Sequence, residues 1–393
     1  MQPKTYTKEK HGIQLDAIDN HAFYVIQKLR QAGYEAYLVG GSIRDLLLQT
    51  TPKDFDISTS AKPEEIKKLF RGCILIGKRF RLAHIRFGKK VIEVSTFRSG
   101  DIENSTFIVR DNDWGSAEED VLRRDFTING LFYDPQKELL LDYVGGYLDS
   151  QKRILRTIGN PEIRFRQDPV RMIRLIKFRA RFALNIDPAA EEALHKCKED
   201  IIKSSQARIL EELLRMLESG SSEPFFRYLS DYGLLYLLMP SLARYLTDKP
   251  EETFSLLKQV DKNPKGIQRP ILMSCLVFPL FSERLHAQSQ KEKNIHLGII
   301  TEEANHSIDA IFRPFFSIPR KMKGIMASLL ASQFRFTPLS DKFKKRLRIP
   351  RDPSFPLSLE FFKLRAEISS HLFETYHLWH ETHKKSPHHH RRR

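Results

Sequence analysis

The sequence predicts an α+β protein whose strands are confined to its first part, and three observations carry that expectation. Short strand and helix signals alternate up to about residue 150, amphipathic helix patterns replace them afterwards, and the charge changes character at the same place. The formal net charge is +16, yet residues 1–150 hold 22 Lys and Arg against 22 Asp and Glu, while residues 151–393 hold 43 against 27. The excess concentrates in residues 152–181, with ten bases and two acids, and 313–351, with eleven and one. A balanced part beside a basic part suggests separate catalytic and polyanion-binding surfaces. The competing reading is that the bases are solvated helix faces.

In chain order, Ala36–Val39, 55–58, Cys73–Ile76, 81–87 and 91–96 read as strands from their length and their β-branched or aromatic content. Residues 61–70 read as a helix, with Pro63 in the first turn and Lys67 and Lys68 late. The polar, aperiodic stretch 99–115 predicts a mobile loop. Residues 117–131 read as helical, and 139–143 as a last strand before Gly145-Gly146. Beyond it 169–182, 189–197, 207–217, 225–235 and 361–379 suit amphipathic helices. Prolines at 240, 250, 264, 270, 338 and 350 are expected to cut the rest into short helices. There is no repeat of fixed period. Residues 384–393 read as a disordered basic tail, whose three histidines offer at most a weak metal site.

No run of 18 apolar residues exists to span a membrane, and the polar N-terminus lacks a secretory pattern. Cys73, Cys197 and Cys275 lie far apart without a C-x-x-C, so neither a zinc site nor a disulfide framework is implied, and a cytoplasmic location fits.

Three constellations carry chemistry. In Val39-Gly40-Gly41-Ser42-Ile43-Arg44-Asp45 the glycines let backbone N–H groups approach a triphosphate. Residues 42–48 then read as a short helix with its positive end toward those phosphates. Asp54-Phe55-Asp56 follows; in a strand both carboxylates share one face, which suits hard cations. A D-x-D pair alone is common in polar turns, and the Gly-Gly segment is what strengthens it.

The second constellation is Arg123-Arg124-Asp125-Phe126-Thr127-Ile128-Asn129. Arg124 suits phosphate or ribose oxygens and Asp125 is a candidate third carboxylate. The bland alternative is a surface helix with an Asp120–Arg124 ion pair, and Asn129-Gly130 alone would suggest a hairpin turn. Glu93 competes for the third-carboxylate role, because a charge within an apolar strand needs a partner or a metal.

In the third, Asp168, Arg171 and Arg174 share one helix side. A guanidinium donates and a carboxylate accepts, so the pair can imitate a base-pairing edge. A salt-bridged exposed helix is the alternative.

Together, Val39-Gly40-Gly41-x-x-Arg44-Asp45, Asp54-x-Asp56, Arg123-Arg124-Asp125-Phe126-Thr127-x-Asn129 and Asp168-Pro169-x-Arg171-x-x-Arg174 resemble the class II nucleotidyltransferases in order and spacing. These are the bacterial poly(A) polymerases and the CCA-adding tRNA nucleotidyltransferases. Gly77-Lys78-Arg79-Phe80-Arg81-Leu82-Ala83-His84 resembles the poly(A) polymerase branch, and no His-Asp dipeptide points to a fused metal phosphohydrolase. Two departures stand out: Gln167 where the family usually has Glu, and Lys177 where it usually has Arg.

The resemblance implies a polymerase-β-like head with a small mixed sheet (1–150), a helical neck (151–240), a helical body and tail (241–383) and the basic end (384–393). It implies template-independent AMP transfer from ATP to an RNA 3′-hydroxyl, in RNA 3′-end processing and decay. Asp54 and Asp56 would hold two Mg²⁺ ions, with Mn²⁺ as a substitute, and Asp125 would join them as a catalytic carboxylate. Gly40, Gly41, Arg44, Arg124 and Asn129 would hold phosphate and ribose, while Asp168 and Arg171 would read the adenine edge, with Arg174 supporting them. The RNA, mRNA or another, would lie along the basic helices; no DNA or membrane partner is expected. CCA addition to tRNA and a non-catalytic RNA-binding module are the alternatives.

Overall fold

The computed structural model describes residues 2–77, 82–99, 113–291, 295–339, 347 and 349–385. Lys78-Arg79-Phe80-Arg81, most of the expected 99–115 loop, part of the second basic cluster and most of the basic tail lie outside the described residues. The chain divides into two compact units, Met1–Cys197 and Lys198–Arg393. The expected boundaries at 150 and 240 do not coincide with that division, because the helices between 161 and 197 belong to the first unit.

Eight strands form the sheet of the first unit: β1 (Lys4–Tyr6), β2 (Ala36–Val39), β3 (Asp56–Thr59), β4 (Cys73–Ile76), β5 (Leu82–Phe87), β6 (Lys90–Thr96), β7 (Leu131–Asp134) and β8 (Leu139–Asp142). Their order is β1-β8-β7-β2-β3-β6-β5-β4. Only the β3–β6 pair is parallel, so the sheet is mixed, as expected. A short parallel pair, β9 (Ile154–Leu155) with β10 (Asn185–Ile186), ties the chain on either side of the next helices.

The helices of this unit are α1 (Lys8–His11), α2 (Asn20–Gln31), α3 (Gly41–Leu47), α4 (Pro63–Leu69), α5 (Ala117–Leu122), α6 (Gly146–Lys152), α7 (Pro161–Gln167), α8 (Val170–Phe182) and α9 (Pro188–Cys197). Local chemistry sets their ends. Asp19 caps α2 through the His21 and Ala22 amides, and Pro63 opens α4. Ser116 and Glu119 form a capping box on α5. Asp142 accepts from the amides of Val144, Gly145, Gly146 and Tyr147, which starts α6. Gly146 is obligatory there, since a Cβ would come within 2.0 Å of the Thr127 carbonyl oxygen.

One sheet face is covered by α2 and α4 and buries Ile26, Leu29, Leu38, Ile57, Ala83 and Val94. The alternation of side chains sends their neighbours to the other face, where Val39, Phe97, Val121, Phe132 and Ile158 form a second cluster.

The helix expected over 117–131 is a correction: α5 stops at Leu122, a turn follows, Thr127–Asn129 makes a single 3₁₀ turn, and Leu131 starts β7. Asp125 to Gly130 are weak helix formers, Arg124, Asp125 and Asn129 are drawn to partners on other elements, and Leu131–Asp134 is wholly buried in the sheet.

In the second unit the described residues hold only helices and turns. After a 3₁₀ stretch at Lys198–Lys203 come α10 (Gln206–Leu217), α11 (Ser222–Asp231), α12 (Leu234–Leu238), α13 (Pro240–Asp248), α14 (Pro250–Lys262), α15 (Arg269–Lys291), α16 (Leu297–Phe312), α17 (Arg320–Phe336), α18 (Phe355–Ile368) and α19 (Phe373–Lys384). Gly233 at φ 75° splits the helix expected over 225–235. Ser369 splits that expected over 361–379, which starts earlier, at Phe355. The expectation of short helices fails for α15, which runs 23 residues with Pro279 inside. Burial of Ile271 to Phe278 and of Phe281 offsets a cost of about 3 kcal/mol for an internal proline. Among the described residues no helix is long and apolar enough to cross a membrane.

Candidate active site

The Gly-Gly turn lies where β2 hands over to α3. Gly40 holds φ 68° and ψ −124°, a backbone region that side chains other than glycine rarely enter. A Cβ on it would also come within 3.2 Å of an Arg124 guanidinium nitrogen. Arg124 is aimed there by three contacts. Its NH2 lies 2.8 Å from Asp120 Oδ2 and donates to Ser58 Oγ at 3.2 Å, and its guanidinium lies 5.2 Å from the Phe132 ring centre. The Asp120–Arg124 pair thus exists, but on a turn beside the glycines. Asp120 and Ser58 had no sequence signal as site residues beyond that i,i+4 spacing.

The D-x-D pair is only half in the strand: Asp56 opens β3, and Asp54 precedes it. Both are exposed, and among the described residues neither accepts a hydrogen bond or ion pair. Although Asp56 meets solvent, lost hydration around its carboxyl, then repulsion from Glu93 and Asp54, push it up to about 6 against the pull of Arg124. Glu93 is the register partner of Asp56 across the parallel pair, so both rise from one face.

Asp125 is placed differently. Its Oδ2 receives two Arg174 nitrogens at 2.7 Å, and its Oδ1 accepts from the Phe126 amide and Asn129 Nδ2 at 2.9 Å each. Burial alone would raise this carboxyl, but Arg174 and Asn129 outweigh it and hold it well below the usual range. The structure therefore brings Glu93, not Asp125, beside Asp56.

Arg44 is also inside. Its guanidinium donates to Asp45 Oδ1 at 2.6 and 2.9 Å and to Asn129 Oδ1 at 2.7 Å, and lies 4.7 Å from the ring centres of both Phe178 and Phe182. Arg181 pairs with the other Asp45 oxygen at 3.1 Å. A continuous chain, Arg181–Asp45–Arg44–Asn129–Asp125–Arg174, ties α8 to α3 and to the turn before β7. Asp45 and Arg181 carried no sequence signal for this, since a buried network is a property of packing.

The expected single face of Asp168, Arg171 and Arg174 needs correction. Asp168 is the cap between α7 and α8, with φ −146° and ψ 90°, because Pro169 disfavours helix at the residue before it. Arg171 is buried and donates to the carbonyls of Arg164 at 3.3 Å and Arg123 at 3.4 Å. Arg164, missed in the sequence, is fully buried; it donates to the carbonyls of Arg123 and Arg124 at 2.7 and 2.6 Å and to Gln167 Oε1 at 3.2 Å. Burial, then Arg171, push its guanidinium down to about 10.

Among the described residues no three His, Cys, Asp or Glu side chains form a ready metal cluster. The fit is to a different kind of site. Mg²⁺ is typically held by one or two carboxylates plus substrate phosphates, and Asp54 and Asp56 are exposed, mutually repelled and, among the described residues, unpartnered, beside a Gly-Gly turn and an arginine.

This sheet, turn and carboxylate set define a nucleotidyltransferase. The Poly A polymerase head domain matches residues 36–156, and the probable RNA and SrmB-binding site of polymerase A matches residues 183–246. The poly(A) polymerase I of Salmonella typhimurium is 34% identical over 92% of this chain and 82% of its own length. The CCA-adding enzyme of Lactobacillus helveticus is 37% identical, but over 54% of this chain and 53% of its own. The chain belongs to the poly(A) polymerase family. The Bacillus stearothermophilus CCA-adding enzyme, solved in complex with CTP, shares the fold with a TM-score of 0.62, covering 92% of this chain and 80% of that one at 24% identity.

Proposed function

We propose that this chain transfers AMP from ATP to the 3′-hydroxyl of an RNA in the cytoplasm, without a template, releasing pyrophosphate. The observation that carries this is the pair Asp54 and Asp56, exposed and without a partner among the described residues, beside Gly40 and Arg124, in a chain similar to poly(A) polymerases over 92% of its length. Asp54 and Asp56 would hold Mg²⁺, or Mn²⁺, with Glu93 rather than Asp125 as the third carboxylate. When bound, the ions lower the pKa of the attacking hydroxyl and offset charge on the triphosphate. The turn amides at Gly40 and Gly41 and the Arg124 guanidinium would orient the phosphates. Asn129 and Arg44 support Arg124 and α8 from behind.

For base choice, Asp168 at the elbow of α7 and α8 would face the base, with Arg171 fixing the elbow through carbonyls. The basic helices would hold RNA mainly by phosphate contacts. The test offers the purified chain an unstructured A-ended RNA and a tRNA lacking CCA, each NTP separately. A long ladder with ATP alone is expected; addition stopping after C, C and A would replace this reading with CCA addition, and no incorporation with either ion would leave an RNA-binding module.

A further inference from the structure

Glu93 lies within β6 between buried Ile92 and Val94. A carboxylate in such a strand needs a partner, and the register supplies one. His84 on β5 is its cross-strand neighbour on one side, as Asp56 on β3 is on the other. All three side chains therefore rise from the same face. His84 Nε2 is 3.2 Å from Glu93 Oε2, and the histidine is the better shielded of the two, 27% exposed against 43%. Adjacent strands are about 4.8 Å apart, so His84 reaches Glu93 but stands two strands from Asp56. It belongs to the Leu82-Ala83-His84 stretch, which none of the assignments above uses.

From this row we infer that His84 is a positioning residue: it holds Glu93 by one carboxylate oxygen and leaves the other to join Asp56 at a divalent cation. The inference rests on the metal assignment proposed above. A glutamate repelled by Asp56 and free to rotate would turn into solvent, and fixing such a side chain costs rotamer entropy. The imidazole nitrogen 3.2 Å from Oε2 supplies that order before the cation arrives. Outer partners of this kind change metal affinity about 10- to 100-fold.

The experiment measures Mn²⁺ binding to the full chain by electron paramagnetic resonance, without nucleotide, for wild type, His84→Ala, His84→Gln and Asp56→Asn. The Mg²⁺ dependence of turnover is followed in parallel. His84→Ala is expected to bind Mn²⁺ about 10-fold more weakly. It should raise the half-saturating Mg²⁺ by a similar factor and keep kcat at saturating Mg²⁺. His84→Gln, whose amide N–H can donate to the same carboxylate, should recover most of the affinity. Wild-type Mn²⁺ binding in His84→Ala, alongside its loss in Asp56→Asn, would overturn the positioning role while leaving the metal assignment standing. Wild-type binding in Asp56→Asn would overturn both. Equal loss in the Ala and Gln variants with a lowered melting temperature would make His84 structural.

Discussion

Asp56 and Asp125 belong to one unit and to motifs that carry the same resemblance, yet their carboxyls are pushed in opposite directions. Asp56 faces solvent beside two like charges, with no donor on its oxygens among the described residues, and rises to about 6. Asp125 is enclosed by Arg174, Asn129 and a backbone amide, and falls below the usual carboxylate range. An unsatisfied carboxylate in a like-charged row is poised for a cation; one saturated by arginine and amide donors is already spent on structure. The same division separates Arg124, which borders the glycine turn, from Arg44, which is stacked and bonded inside.

The largest effect that tests this contrast is Asp56→Asn. Metal-assisted charge stabilisation is worth several kcal/mol, so turnover should fall on the order of 10³-fold or more. Thermal stability should hold or rise, because a repulsion is removed. Appreciable activity at saturating Mg²⁺ would break the assignment of Asp56 to the cation.

Asp125→Asn should act first on stability. Removing one partner of a buried ion pair costs about 3–5 kcal/mol, read as a shift in the urea midpoint. An unchanged midpoint with lost turnover would place Asp125 back among the reacting groups.

pH separates the two residues by sign. Cation binding at Asp56 displaces its proton, so Mg²⁺ affinity should rise with pH, about tenfold per unit, and level off above about 6. The raised carboxyl also costs stability as pH climbs from the unfolded value near 3.9 toward 6. Asp125 does the reverse: its depressed carboxyl contributes fully above the unfolded value and loses that contribution only as pH falls through its low native one. A titration of Mg²⁺ binding between pH 5 and 7 that is flat would remove the Asp56 half of the contrast.

The smallest effect concerns Gln167, one of the two departures from the family. Its amide oxygen is the neutral acceptor for buried Arg164. Gln167→Glu makes that bond charge-assisted, and stability should rise by about 1 kcal/mol without altering the choice between ATP and CTP. A fall of similar size would mean that burying the new carboxylate outweighs its pairing.

Much of the sheet was legible because β2, β4 and most of β5 and β6 are short runs rich in apolar residues and bounded by turn residues, where local pattern and burial agree. β1 escaped because three residues, Lys4-Thr5-Tyr6, are too few for a pattern. β7 escaped because the helix pattern that starts at Ala117 reads on through Leu131, past the Asn129-Gly130 turn signal. The Gly-Gly turn and the aspartate pair announced themselves by composition and spacing. Asp125 and Asp45 did not declare their roles, because whether a charge faces water or another charge is set by elements far along the chain: Arg174 stands 49 positions from Asp125, and Arg181 stands 136 from Asp45.

One edge of the sheet has a consequence for the protein in solution. Among the described residues nothing pairs with the outer side of β4, and Ile74 and Ile76 on it are 41% and 43% exposed. An open strand edge with two β-branched apolar side chains is a template for another copy of itself, and concentrated preparations should self-associate through it. Ile74→Lys puts a charge on that edge, the device by which natural sheets keep neighbours from adding on, and should keep the protein monodisperse at concentrations where the parent aggregates.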